Sequence, residues 1–152
     1  PYLTYFASPT QEDYEAVYKI LNELKLLHLK DRFFNELSGG EKQLVYLARA
    51  LAQDAKVLLM DEPTAHLDFK NTLLIINTLR KIVNQKNLIA IVALHNPNEV
   101  LWLCDKVLVL HEGRVVKYGA PDKVITPSTI KDIYGVSVEI FYKNGRKCVI
   151  PK

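Results

Sequence analysis

The 152 residues are enough for one ordinary domain with a packed interior, and the apolar share of 49% is that of a globular protein. Net charge is +3, from 20 basic and 17 acidic residues that are scattered rather than striped, so the usual footprint of a nucleic-acid binder is missing. Cys104 and Cys148 lack the spacing of a disulfide framework or zinc site, and no apolar run reaches the ~18 residues of a membrane helix.

The opening Pro1-Tyr2-Leu3-Thr4-Tyr5-Phe6 is aromatic and has neither Met nor a basic stretch, so it reads as the interior of a longer chain and not as a signal peptide. Ser8-Pro9-Thr10-Gln11 predicts a helix start with Ser8 as cap and Pro9 in the first turn. Tyr14, Val17, Tyr18, Leu21 and Leu24 follow at helical spacing, and Leu27, Leu29 and Phe33 suit a short second turn. Ser38 opens a further helix with Leu44, Leu47, Ala48 and Leu51 on one face. The continuous apolar run 57–60 predicts a strand buried on both faces. A helix over 69–84, with Leu73, Ile76, Leu79 and Val83 on one side, and an Ile/Val-rich strand over 88–94 complete a helix–strand–helix–strand order, which implies a parallel sheet covered by helices. A brief helical turn over 99–103 follows. Beyond it come a hairpin around Glu112-Gly113, a helix over 127–134, and a second hairpin around Asn144-Gly145.

Four short segments carry chemistry. Ser38-Gly39-Gly40-Glu41 is a capping box on structural grounds alone. Its two glycines also leave backbone N–H groups open at a helix N-terminus, which attracts anions such as a terminal phosphate. That helix-end field is worth about 0.3–1 kcal/mol, a supplement to a nucleotide held elsewhere. The Ser38 hydroxyl either caps its own helix or bonds the phosphate. Asp61-Glu62 ends the first strand, where open α/β sheets bind ligands. Alternation along the strand lets Asp61 reach Mg²⁺ and Glu62 orient the attacking water of a phosphoryl transfer, against the bland alternative of a solvated strand end before Pro63. Asp68, closing Thr64-Ala65-His66-Leu67-Asp68, is suited to cap the next helix. His66 is expected at the surface or an interface. His95 ends the second strand and is expected near the crevice of Glu62, where it would contact a terminal phosphate. His28 and His111 lack such placement. No G-x-x-x-x-G-K-[ST] loop occurs among the 152 residues.

These segments, in this order and spacing, resemble the ATP-binding-cassette (ABC) transporter ATPases. Leu37 to Glu41 is similar to the family's signature, 57–62 to its Walker B segment with Glu62 in the catalytic glutamate place, Ala65-His66-Leu67-Asp68 to its D-loop, and His95 to its switch histidine. Pro1-Tyr2-Leu3, Ser8-Pro9-Thr10, Asp13, the stretch 64–69, His95-Asn96-Pro97-Asn98 and Gly119-Ala120-Pro121 with Val124-Ile125-Thr126 resemble the branch that imports iron-siderophores, haem and cobalamin. Asn96 stands where that branch usually has aspartate.

The resemblance implies an incomplete P-loop NTPase-like α/β fold. Residues 1–36 would be the tail of a helical subdomain, 37–110 the signature helix and Walker B core, and 111–152 C-terminal hairpins of the same domain. It implies ATP and Mg²⁺, with Glu62 and His95 catalytic and Asp61 on the metal. Ser38, Gly39, Gly40 and Gln43 would face nucleotide held by a second ATPase subunit in a head-to-tail dimer, and Asp68 would be a nucleotide-binding residue. Membrane permease subunits are the expected partners, with an extracytoplasmic binding protein acting indirectly and no nucleic acid, and the cytoplasmic face of the membrane is the expected place. The full-length parent would hydrolyse ATP to drive import, and the fragment alone would be inactive. The alternatives are an ABC ATPase for another metal or solute, a fragment with only a structural or interaction role, and an ABC-headed DNA-repair ATPase. The last needs a long coiled coil before Leu37, where the sequence offers a short capped helix and a loop.

Overall fold

A computed structural model describes residues 8–143 and 146–152. The opening segment 1–7 and the Asn144-Gly145 turn lie outside the described residues. The chain packs as two units, 1–93 and 94–152.

The first unit begins with α1, Gln11–Glu23. Its cap is Thr10 and not Ser8. Thr10 N and Oγ1 both donate to Asp13 Oδ2 at 2.9 Å while Asp13 N donates back to Thr10 Oγ1 at 3.3 Å, a reciprocal box that Ser8 with Gln11 does not form. Ile20 and Leu24 supply the buried side and Leu21 is half-buried, whereas Tyr14, Val17 and Tyr18 are exposed, so only the C-terminal end of the expected stripe faces inward. Two short 3₁₀ turns, Leu27–Leu29 and Phe34–Glu36, lead to α2, Gly39–Ala52. Leu44, Leu47, Ala48 and Leu51 are buried as their spacing predicts. Strand β1, Val57–Asp61, is followed by α3, Phe69–Lys86, and β2, Ile89–Ala93. Helix α3 buries Thr72, Ile75, Ile76, Leu79 and Ile82. It stops at Asn87, whose left-handed φ of 50° closes the helix.

β1 and β2 form a parallel ladder from Val57 with Ile89 to Asp61 with Ala93. The ladder corrects one expectation. Leu58 is 3% exposed, but Leu59 is 76% exposed and Ile91 59%, so the strands bury alternate side chains only. Side chains alternate across a strand, and within this unit only one face of the ladder is covered.

In the second unit α4, Pro97–Leu103, precedes the antiparallel pair β3, Val107–His111, and β4, Arg114–Gly119. Glu112 and Gly113 have φ of 48° and 74°, the twist a two-residue hairpin turn requires. Then come α5, Pro121–Val124, which the sequence pattern did not announce, and α6, Pro127–Tyr134. β5, Val138–Lys143, and β6, Arg146–Pro151, close the chain as a second antiparallel pair. Val107, Val124, Ile125, Ile130, Val138 and Val149 form the core of this unit.

Candidate functional site

The first turn of α2 is built by the box anticipated for it. Ser38 N and Oγ donate to Glu41 Oε2 at 2.8 and 2.7 Å, and Glu41 N donates to Ser38 Oγ at 3.4 Å. The Ser38 hydroxyl is therefore committed to its own helix in this structure. Hydrogen bonds from that hydroxyl, then from the Ser38 backbone, hold the Glu41 carboxyl below its ordinary value of 4.5. A depressed carboxylate stabilises the fold above the unfolded-state value, and that contribution is lost as pH falls through the lowered folded value. Carboxyl-carbon NMR is expected to show Glu41 titrating below 4.5, with the first turn of α2 loosening only once it protonates. An ordinary titration would contradict the box.

α3 opens in a related way. Asp68 Oδ1 accepts from Asn71 N at 2.7 Å, and Asn71 Nδ2 donates to Asp68 Oδ2 at 3.0 Å. Asp68 is thus a cap, as its position suggested. The two helix starts touch. A Cβ on Gly40 would lie 2.6 Å from Asn71 Cγ and Oδ1 and 3.1 Å from its Cβ, whereas one on Gly39 would meet only Leu67 Cδ2 at 3.4 Å. Segments about thirty positions apart in sequence are thereby brought side by side, and Gly40 is what permits the approach. Gly40→Ala must displace Asn71 from Asp68. We expect it to destabilise by about 0–2 kcal/mol, an overpacking cost of roughly 1–3 kcal/mol less the ~1 kcal/mol that Ala gains in a helix. Gly39→Ala has no such clash and should be neutral or slightly stabilising. Urea denaturation of both variants checks the contrast, and equal effects would refute it. Gln43 is half-buried one turn along α2.

Asp61 is exposed at the end of β1. Glu62 N donates to Ala93 O at 3.1 Å, extending the ladder, and Glu62 O accepts from Ala65 N at 3.0 Å across a turn containing Pro63. Glu62 has a φ of 45° and His66 of 62°, both in the left-handed region that non-glycine residues rarely occupy. Such backbone costs of order 1–3 kcal/mol and concentrates where a side chain must be aimed. His66 is exposed, as expected. Among the described residues no three of His, Cys, Asp and Glu gather as a metal cage.

His95 lies in the second unit, just past β2, exposed and followed by Asn96, which caps α4 by accepting from Asn98 N at 2.9 Å. Its carbonyl accepts from Tyr134 Oη at 2.8 Å. Sequence reasoning passed over Asn71 and Tyr134, and gave Asn98 no role beyond its place in the segment 95–98. Asn71 was detectable, standing three places after a cap as Glu41 does after Ser38, but nothing local marks Tyr134.

The fold is that of ABC-type ATPases. The chain superposes with a TM-score of 0.91 and 28% identity on a protein described as a metal-chelate type ABC transporter in an inward-facing conformation, covering 99% of this chain and 62% of that one. The family model for the ABC transporter matches residues 3–65. An ABC transporter ATP-binding protein of Haemophilus influenzae is 35% identical over 143 residues, 94% of this chain and 54% of the relative. The ferric enterobactin transport ATP-binding protein FepC of Escherichia coli is 32% identical over 136 residues, 90% of this chain and 50% of the relative. Others are named for import of petrobactin, cobalamin or molybdate. The chain belongs to the ABC transporter ATP-binding family, and it spans about half the length of the curated relatives it matches.

Proposed function

We propose that the whole protein is the ATP-hydrolysing subunit of an importer for a metal chelate or corrinoid: a ferric siderophore, haem or cobalamin. The observation that best supports ATP chemistry is the contact of the two helix starts through Gly40 and Asn71, in the same unit as a parallel strand ending in Asp61-Glu62. The chain's likeness to FepC and to the metal-chelate transporter favours the cargo class. Nothing in this chain is read as touching cargo.

In this proposal Glu62 holds and polarises the attacking water as general base, and the strained turn fixes its direction. Ser38, with the N–H groups of Gly39 and Gly40, contacts the terminal phosphate of a nucleotide held by the partner ATPase subunit, releasing Glu41 as it does so. Gln43 and Asp68 border that nucleotide, and His95 meets the γ-phosphate. Mg²⁺ takes one or two carboxylates plus phosphate and water oxygens, so an exposed carboxylate at a strand end fits it and Asp61 would hold it. When bound, Mg²⁺ would neutralise charge on the phosphate oxygens. Residues 1–36 would belong to the helical region that docks on membrane permease subunits, placing the protein on the cytoplasmic face of the membrane. No helix among the described residues is long and apolar enough to cross it.

Two measurements test this. The 152-residue chain, with no G-x-x-x-x-G-K-[ST] loop, should release negligible phosphate from ATP. Robust Mg²⁺-dependent release that vanishes with Glu62→Gln would overturn that expectation. Uptake of labelled ferric siderophore, haem and cobalamin should fall for one of the three in cells lacking the gene. Unchanged uptake of all three beside a defect for molybdate, zinc or a sugar would overturn the cargo and leave the ATPase reading standing.

A further inference from the structure

The turn 95–98 is held from the C-terminal part of its own unit at two places. Tyr134 Oη donates to His95 O at 2.8 Å across 39 positions of sequence. Asn98 pairs with both backbone groups of one residue, its Oδ1 accepting from Val149 N at 2.7 Å and its Nδ2 donating to Val149 O at 3.1 Å. Between these anchors Asn96 Oδ1 accepts from Asn98 N. Both anchors are themselves fixed. Val149 belongs to the core of the unit, as does Ile130 of α6. Tyr134 is the last residue of α6, which closes on Gly135 in the left-handed region at φ 71°. Burial pushes the Tyr134 phenol above its ordinary value of 10.0, so it remains a protonated donor across the neutral range.

We propose that Tyr134 and Asn98 are positioning residues for His95, through which α6 and β6 set the backbone that carries its imidazole. This rests on the reading of His95 as a γ-phosphate contact. A misplacement of about 1 Å at a reacting group can cost roughly 100-fold in rate, so a hydrogen bond to the carbonyl of such a residue has leverage beyond its own strength.

The test uses the full-length protein. Tyr134→Phe removes one hydroxyl from a half-exposed side chain and should lower kcat about three- to tenfold, as loss of one neutral hydrogen bond allows, with KM for ATP within about twofold. The thermal midpoint should hardly move. Asn98→Ala should lower kcat in the same sense. In a His95→Ala background, single-turnover rates should show no further loss on adding Tyr134→Phe, because the two act as one. In ATP-bound Glu62→Gln protein, the His95 ring resonance should shift on adding Tyr134→Phe. Unchanged kcat, an undiminished further loss without His95, or an unmoved ring resonance would each overturn the positioning role. If His95→Ala itself leaves hydrolysis intact, the reading of His95 fails and the positioning role falls with it. If His95→Ala stops hydrolysis and Tyr134→Phe does nothing, only the positioning role fails.

Discussion

Glu62→Gln is expected to lower ATP turnover of the full-length protein by about 10²–10⁴-fold, the range attributable to a positioned general base, while ATP affinity stays near that of the parent. The amide keeps the size and shape of the carboxylate but cannot take a proton from water. Because opening would follow hydrolysis, the variant should accumulate as an ATP-bound dimer on size exclusion. The backbone adds a second arm to this test. Glu62 sits at φ 45°, where a residue with a Cβ is penalised and glycine is not. Glu62→Gly should therefore gain up to about 1.5 kcal/mol of stability, the ~1–2 kcal/mol cost of left-handed backbone less the roughly 0.5–1 kcal/mol that glycine's extra chain freedom costs, while losing turnover as completely as Glu62→Gln. Stability and activity moving in opposite directions at one position would mark strain held for the sake of the side chain. A Glu62→Gln protein that hydrolyses ATP at the parent rate and stays monomeric would refute the assignment.

The second large effect concerns the fold. Leu79 is 0% exposed, in the row of α3 that also buries Ile75, Ile76 and Ile82. Leu79→Ala removes atoms from a fully enclosed position and should destabilise by roughly 2–5 kcal/mol, transfer and cavity terms together. Leu74, on the same helix but 44% exposed, serves as the control. Leu74→Ala should change stability by about 0.5 kcal/mol or less, as surface substitutions do. Denaturant midpoints of the two variants measure the difference. Similar midpoints would mean that α3 is not packed as described.

The parts legible in the sequence were those governed by local rules. Ser38 with Glu41, and Asp68 before Phe69, announce helix starts because a side-chain oxygen three places before an N–H satisfies it. Glu112-Gly113 and the bounds of α6 follow from turn and cap chemistry in the same way. What was misread depends on surroundings. Thr10 prevails over Ser8 because Asp13, three places on as Glu41 is from Ser38, returns its hydrogen bonds, whereas the Ser8-Pro9 pair drew the reading two residues upstream. The apolar run 57–60 reads as covered on both faces, and the 152 residues, about half the length of the relatives, cover one of them: Leu58 is buried while Val57 and Leu59 are exposed. At the candidate site the individual residues were readable. The contact of Gly40 with Asn71 and the bond from Tyr134 to His95 were not, because each joins segments that no local pattern connects.

The parallel ladder also has a consequence in time. Val57 meets Ile89 only after the whole of α3 has been wound between them, whereas His111 and Arg114 are neighbours across a two-residue turn. A hairpin closes within about 1–10 μs, while non-local pairings must first overcome the entropy of the intervening loop and so set the slower pace of folding. The hairpin β3–β4 is therefore expected to form early and the strand that delivers Asp61 and Glu62 to find its partner late, an order that amide protection during refolding would check. On that order the carboxylates read as serving ATP reach their places only after α3 is wound, and a change that slows α3 is expected to postpone them.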